Sequence, residues 1–219
     1  MPDTRTIGFI GLGVMGEPIC RNLVKKSGAD VIVFDLAPEP LARLRAEGAS
    51  VAGSVAEIVN KGDIVFLCLP SAKHARAVFE GDGILKNVRK GQVIVDLGTS
   101  SVNQTRDFAR QLQADGAAWA DAPIARTRQA AQDGTLSVMV GATPELYATI
   151  EPLIRCFATD AAKSAPSAFN RASGSRARSN ATTRAPLFLT RLRQIGSPIT
   201  PRPIKPMVLW CGICALAVT

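Results

Sequence analysis

A short apolar run, Ile7-Gly8-Phe9-Ile10, leads directly into Gly11-Leu12-Gly13-Val14-Met15-Gly16, and a helical pattern of apolar residues follows at once. Strand, glycine turn and helix in that order form the context in which G-x-G-x-x-G acts as a dinucleotide-binding loop. Gly11 permits the tight turn, Gly13 has no side chain to hold a pyrophosphate away, and Gly16 lets the helix pack close to the strand. The N–H groups of the helix start, at the positive end of its dipole, then face the phosphates. Leu12, Val14 and Met15 complete the predicted cofactor loop. A second anchor, Asp35, ends the next apolar run, Val31-Ile32-Val33-Phe34, about 20 residues further on. A carboxylate there accepts hydrogen bonds from the adenosine ribose and repels a 2′-phosphate. No Arg follows in Asp35-Leu36-Ala37-Pro38, so the expected cofactor is NAD rather than NADP. The bland alternative is a plain glycine turn in an α/β domain.

The rest of the first 160 residues alternates in type. Apolar runs predict strands over 5–10, 30–34, 64–69, 93–95, 117–120 and 136–140. Helices are predicted over 14–27, from Pro38 to Gly48, over 72–80 and 102–114, and from Pro144 to near Arg155. Ser54 and Glu57 form a capping box for a short helix ending at Asn60. A loop is predicted from the end of the 117–120 strand through Asp133. Strands alternating with helices give an α/β fold of Rossmann type, a doubly wound and mostly parallel sheet.

The formal net charge of +8 divides unevenly. Residues 1–160 carry 17 Lys and Arg and all 18 acids, a net charge of −1; residues 161–219 carry 9 basic residues and no acid, +9. Six of the 14 prolines lie in that last stretch, which shows no helical or strand period. The expected domains are therefore a dinucleotide-binding domain over 1–160 and an irregular, basic, Pro/Ser/Arg-rich tail over 161–219. A segment without acids cannot pair its own charges or bury much surface. The tail is read as disordered or as the product of a shifted reading frame; re-translating past codon 160 in the other two frames tests the latter. The other reading is an arm for nucleic acid or an acidic partner on a non-catalytic NAD-binding module. Irregular basic spacing and few aromatics disfavour nucleic acid. Five cysteines without an even framework, and no signal-peptide pattern, fit a reducing cytoplasm. The longest apolar run, Met207 to Val218, falls short of the roughly 20 residues that span a bilayer, so no membrane is expected. Cys211-Gly212-Ile213-Cys214 is weak evidence for a metal without a second pair, and none is assigned. Cys20 and Cys68 read as core residues.

Four segments resemble the β-hydroxyacid dehydrogenase family, which includes 3-hydroxyisobutyrate dehydrogenases, tartronate semialdehyde reductases and, more distantly, 6-phosphogluconate dehydrogenases. They are Phe9 through Leu23, Cys68-Leu69-Pro70, Asp96 through Ser101, and Asp121 through Thr127 with Gly134 through Gly141. The likeness covers roughly residues 5–160. It implies hydride transfer between nicotinamide and a small anionic β-hydroxy acid or its semialdehyde. It places Leu69 and Pro70 beside the adenosine and makes His74 a polar cofactor contact, with an exposed helix residue as its alternative. Thr99 falls at the nicotinamide end. Asp96 is expected to end a strand or cap a helix.

Three departures bear on chemistry. The family's D-x-S-T serine is Gly98, which leaves Ser100 as the candidate hydroxyl for a substrate carboxylate. The pattern D-A-P-V-S-G-G reads Asp121-Ala122-Pro123-Ile124-Ala125-Arg126-Thr127. An Arg in this loop resembles the sulfolactaldehyde reductases, and a guanidinium suits forked recognition of an oxyanion, so Arg126 is the candidate for gripping the substrate's anion. The family's acid/base lysine lies in G-x-x-G-x-G-x-x-x-K-x-x-N-N. No such segment follows Asp160; Lys163 and Lys205 are the lysines there and neither has that surrounding. No catalytic residue is assigned, and the chain is expected to bind NAD with impaired turnover.

Overall fold

The computed structural model describes residues 5–81 and 83–164. Along them run β1 (Thr6–Ile10), α1 (Gly16–Lys26), β2 (Asp30–Phe34), α2 (Pro38–Ala46), β3 (Ser50–Val51), α3 (Val55–Lys61), β4 (Ile64–Leu67), α4 (Ala72–Glu80) and α5 (Ile84–Asn87). Then come β5 (Val93–Asp96), α6 (Val102–Ala114), β6 (Ala118–Asp121), β7 (Ile124–Ala125), α7 (Arg128–Asp133), β8 (Leu136–Gly141), α8 (Pro144–Ile154) and β9 (Ala158–Ser164). Six strands pair in parallel in the order β3-β2-β1-β4-β5-β6. This is the doubly wound order, and the direction of winding reverses between β1 and β4. β8 adds antiparallel to β6 and β7, and β9 pairs in parallel with β8.

Alternation along the strands builds two cores. Ile7, Phe9, Ile64, Phe66, Val93 and Val95 enter one, with residues of α1, α2, α7 and α8. Ile10, Val65, Leu67 and Ile94 enter the other, with residues of α3, α4, α5 and α6. Strands covered on both faces read as unbroken apolar runs, as they do here. Phe66 stands in the middle of the first core, its ring centroid 6.1 Å from that of Phe9 and 6.2 Å from that of Phe157. In the second core Phe79 stacks on Phe108 at 3.9 Å, with Trp119 edge-on to both.

Local chemistry sets the helix starts. Ser54, Ser101, Thr127 and Thr143 each accept a backbone N–H three residues on. Glu57 reaches back to the N–H of Gly53 rather than to that of Ser54, so the box closes one residue earlier than in its usual form.

The differences from expectation are confined to short elements. The stretch predicted as loop before Asp133 contains β7 and α7. β3 and α5 were not foreseen, and β9 carries the sheet to Ser164, beyond the expected boundary at 160. Elements of two to seven residues are too short to display a clear period. Residues 165–219, with most of the expected tail and Cys211 and Cys214, lie outside the described residues. Among the described residues no helix is long and apolar enough to cross a membrane.

Removing the ring at the centre of the sheet tests this packing. Phe66→Ala is expected to lower unfolding free energy by about 3–5 kcal/mol, read as a lower urea midpoint at unchanged slope. A loss below about 1 kcal/mol would contradict the placement of Phe66.

Candidate dinucleotide site

A cavity of about 1390 Å³ opens across the carboxyl ends of β1, β2, β4 and β5, spanning the point where the winding reverses. Ligands of open α/β sheets bind at this position. Its walls are the ends of these four strands, the glycine loop, the α3 start and one side of α4.

The three glycines divide the work. Gly11 has φ +96°, donates its N–H to the Phe34 carbonyl at 3.0 Å, and would place a Cβ 2.4 Å from the Cys68 carbonyl oxygen. A Cβ on Gly16 would stand 2.0 Å from the Gly11 carbonyl oxygen. Both therefore serve the backbone's own close approach. Gly13 is different: a Cβ there would meet nothing within 4 Å. The packing of the fold itself therefore makes no steric demand for glycine at this position. Val14 and Met15 line the cavity, and the N-terminus of α1 carries no side-chain cap that would compete for its N–H groups. Leu12 is placed otherwise than expected of a lining residue. Its side chain is buried in the core, and it takes part through its N–H, which donates to Asp35 Oδ2 at 2.5 Å. Asp35 Oδ1 accepts the N–H of Ala37 at 2.8 Å. The carboxylate is thus fixed at the cavity edge, with lone pairs left for a ribose.

Leu69, Pro70 and His74 line the same cavity, and His74 Nδ1 lies 2.8 Å from Ser71 Oγ. Lining residues from Ser54 to Ala56 and Leu36, which is 92% exposed, were missed in the sequence. Cys68, expected in the core, is partly buried and packs against the first core while also lining the cavity, and burial pushes its thiol up to about 12. Little of it is thiolate at neutral pH, so it is a poor nucleophile.

At the other end, the loop after β5 is organised by Asp96, which is 1% exposed. It accepts the Gly98 N–H at 2.9 Å and the Ser100 hydroxyl at 2.8 Å. Burial raises its carboxyl, against those two hydrogen bonds. Ser100 and Thr99 both line the cavity, but the Ser100 proton is committed to Asp96. A carboxylate ligand needs donors, so Ser100 is poorly disposed to hold one. Thr99 is exposed.

Arg126 is not among the residues lining the cavity. Its guanidinium donates to the Thr135 carbonyl and pairs with Asp160 on β9. It adopts φ +94°, a conformation that costs a non-glycine residue about 1–2 kcal/mol. This is the position at which the family's pattern has its first glycine.

Asp121 is a charged group to which the sequence assigned no role. It sits beside Asp96 in the β5–β6 register. Its Oδ1 is buried without a hydrogen bond among the described residues. Burial, then repulsion from Asp96, pushes its carboxyl up to about 6. A raised carboxyl binds its proton more tightly when folded. Its contribution to stability is full below the unfolded value near 4 and is lost as pH rises through about 6. Asp121→Asn is therefore expected to melt a few degrees above wild type at pH 8, with the gap clearly narrower at pH 5 and closed only below about pH 4. Thermal melts at the two pH values check this, and an equal gap at both would contradict it.

Residues 6–166 match the family described as the NAD binding domain of 6-phosphogluconate dehydrogenase. Mouse mitochondrial 3-hydroxyisobutyrate dehydrogenase is 35% identical over 161 residues, 73% of this chain and 48% of that protein. The 2-(hydroxymethyl)glutarate dehydrogenase of Eubacterium barkeri is 36% identical over 161 residues, 73% of this chain and 53% of that one. The solved structure of Mycobacterium tuberculosis 3-hydroxyisobutyrate dehydrogenase with L-serine superposes with a TM-score of 0.68 at 30% identity, over 76% of this chain and 57% of that one. The chain spans about half the length of the curated relatives it matches. With its strand order, its glycine loop and the acid ending β2, the chain belongs to the family of the NAD binding domain of 6-phosphogluconate dehydrogenase.

Proposed function

We propose that this chain is the cofactor-binding half of an NAD-dependent oxidoreductase acting on a small β-hydroxy acid or its semialdehyde. The observation that carries the reading is the open cavity at Gly13 beside the fixed carboxylate of Asp35. Gly13 and the α1 start hold a pyrophosphate by backbone N–H groups. Asp35 accepts from the ribose and selects against a 2′-phosphate. Leu69, Pro70 and His74 border the adenosine side, and Thr99 offers its hydroxyl at the far end. A bound nicotinamide supplies the hydride chemistry; the protein supplies orientation.

The substrate side is barer. No Lys or Arg lines the cavity among the described residues, and Asp96 is locked into its own loop. A positioned acid/base contributes about 10²–10⁴ in rate. The resemblance assigns that role to a lysine whose motif does not follow Asp160 in this sequence. Strong cofactor selectivity with little turnover is the expected behaviour.

Fluorescence titrations with NADH and NADPH test the reading. Wild type is expected to prefer NADH by at least about tenfold, from charge repulsion alone. Asp35→Ser is expected to narrow that ratio toward one. The ratio is informative even where the variant loosens the loop, because both ligands suffer alike. Oxidation of 3-hydroxyisobutyrate with NAD is expected below about 0.1 s⁻¹, against a median enzyme rate of about 10 s⁻¹. No preference between the two dinucleotides in wild type would overturn the assignment.

A further inference from the structure

A second cavity, of about 520 Å³, lies in the groove between α4 and α6, and its lining differs from that of the dinucleotide site. Arg76, Arg106 and Arg110 line it, with Ser101, Asn103 and Asp107 among the remaining residues. None of these residues lines the dinucleotide cavity. The volume suits one small molecule rather than a macromolecular surface.

The charges in the groove are unequally matched. Arg76 pairs with Glu80 at 2.5 Å, and its Cζ sits 5.7 Å from the centroid of the Phe108 ring, which holds its stem against α6. Arg110 is 75% exposed at its side chain and approaches Asp107 only to 3.7 Å. Asp107 meanwhile accepts from Gln111 at 3.2 Å. Arg106 makes no ion pair among the described residues, and its Nε is buried without a hydrogen-bond partner. The Nε is sealed from solvent and therefore from a ligand; what Arg106 offers the groove it lines is the outer N–H groups of its fork, which no carboxylate among the described residues pairs. Three planar forks around one groove, with hydroxyl and amide donors beside them, match the oxygens of a phosphate group.

We propose that this groove is an anion site for a small phosphate-bearing ligand, separate from the dinucleotide cavity. Arg106 holds the ligand at the floor and Arg110 closes on it from the rim. One hydrogen bond joins the linings of the two sites. Gln104, which lines the groove, donates to the Ala72 carbonyl at the start of α4, and Ala72 lines the dinucleotide cavity.

The test uses the full chain and inorganic phosphate. Melting temperature is followed against sodium phosphate and against sodium chloride at matched ionic strength, with and without saturating NADH. A saturating rise specific to phosphate is expected, and it persists with NADH bound. Arg106→Gln and Arg110→Gln are each expected to weaken it about tenfold while leaving NADH affinity unchanged. Arg110 is exposed enough that its variant folds, so the test stands even where Arg106→Gln does not. An equal rise in Arg110→Gln, an equal rise with chloride, or loss of the rise under NADH would overturn the proposal. The last result would place phosphate in the glycine loop instead.

Discussion

The site depends on a contact between two stretches of backbone. The helix α1 can begin where it does only because residue 16 has no Cβ, which would otherwise sit 2.0 Å from the Gly11 carbonyl oxygen. The same approach brings Gly11 against the Cys68 carbonyl at the end of β4. Two strand ends and a helix start are thereby drawn together at the reversal of the sheet. The cavity is the space left above them, and the helix dipole points into it.

Both ends of that cavity are finished by the same local device. Asp35 at the end of β2 and Asp96 at the end of β5 each accept the backbone N–H two residues further on, from Ala37 and Gly98. An aspartate in this position turns the chain out of a strand without leaving an unpaired donor. The two differ in what remains free. Asp35 uses its second oxygen to hold the glycine loop and stays at the edge of solvent; Asp96 uses its second oxygen on Ser100 and is fully buried. Hence one carboxylate is available to a ligand and the other is structural, although both end a parallel strand beside the same cavity.

Long elements and the glycine loop were legible in the sequence because each carries its own signal. Apolar runs mark strands buried on both faces, and the positions of Ser54, Pro38 and Pro144 mark helix starts. Residues 121–133 were not legible. Thr127 as an N-cap and Gly134 at φ +70° do bracket α7, but six residues give no period to read between them. Arg126 was read for its chemistry alone. Its partner Asp160 is 34 residues away, and no local pattern announces that pairing. Ser100 was read as a free hydroxyl for a similar reason: its commitment to Asp96 is set by the turn, not by composition. The rise in the Asp121 carboxyl comes from a neighbouring strand, so it too is visible only once the sheet is assembled.

A dinucleotide in the cavity requires a bare Gly13, whereas Gly11 and Gly16 are bare for the sake of the fold. Gly13→Ala separates these directly, since a methyl group there touches nothing within 4 Å. Melting temperature and NADH affinity are measured on the same preparation. A melting temperature within about 2 °C of wild type is expected together with an NADH affinity weakened at least about tenfold. Unchanged NADH affinity in a folded Gly13→Ala chain would contradict that requirement.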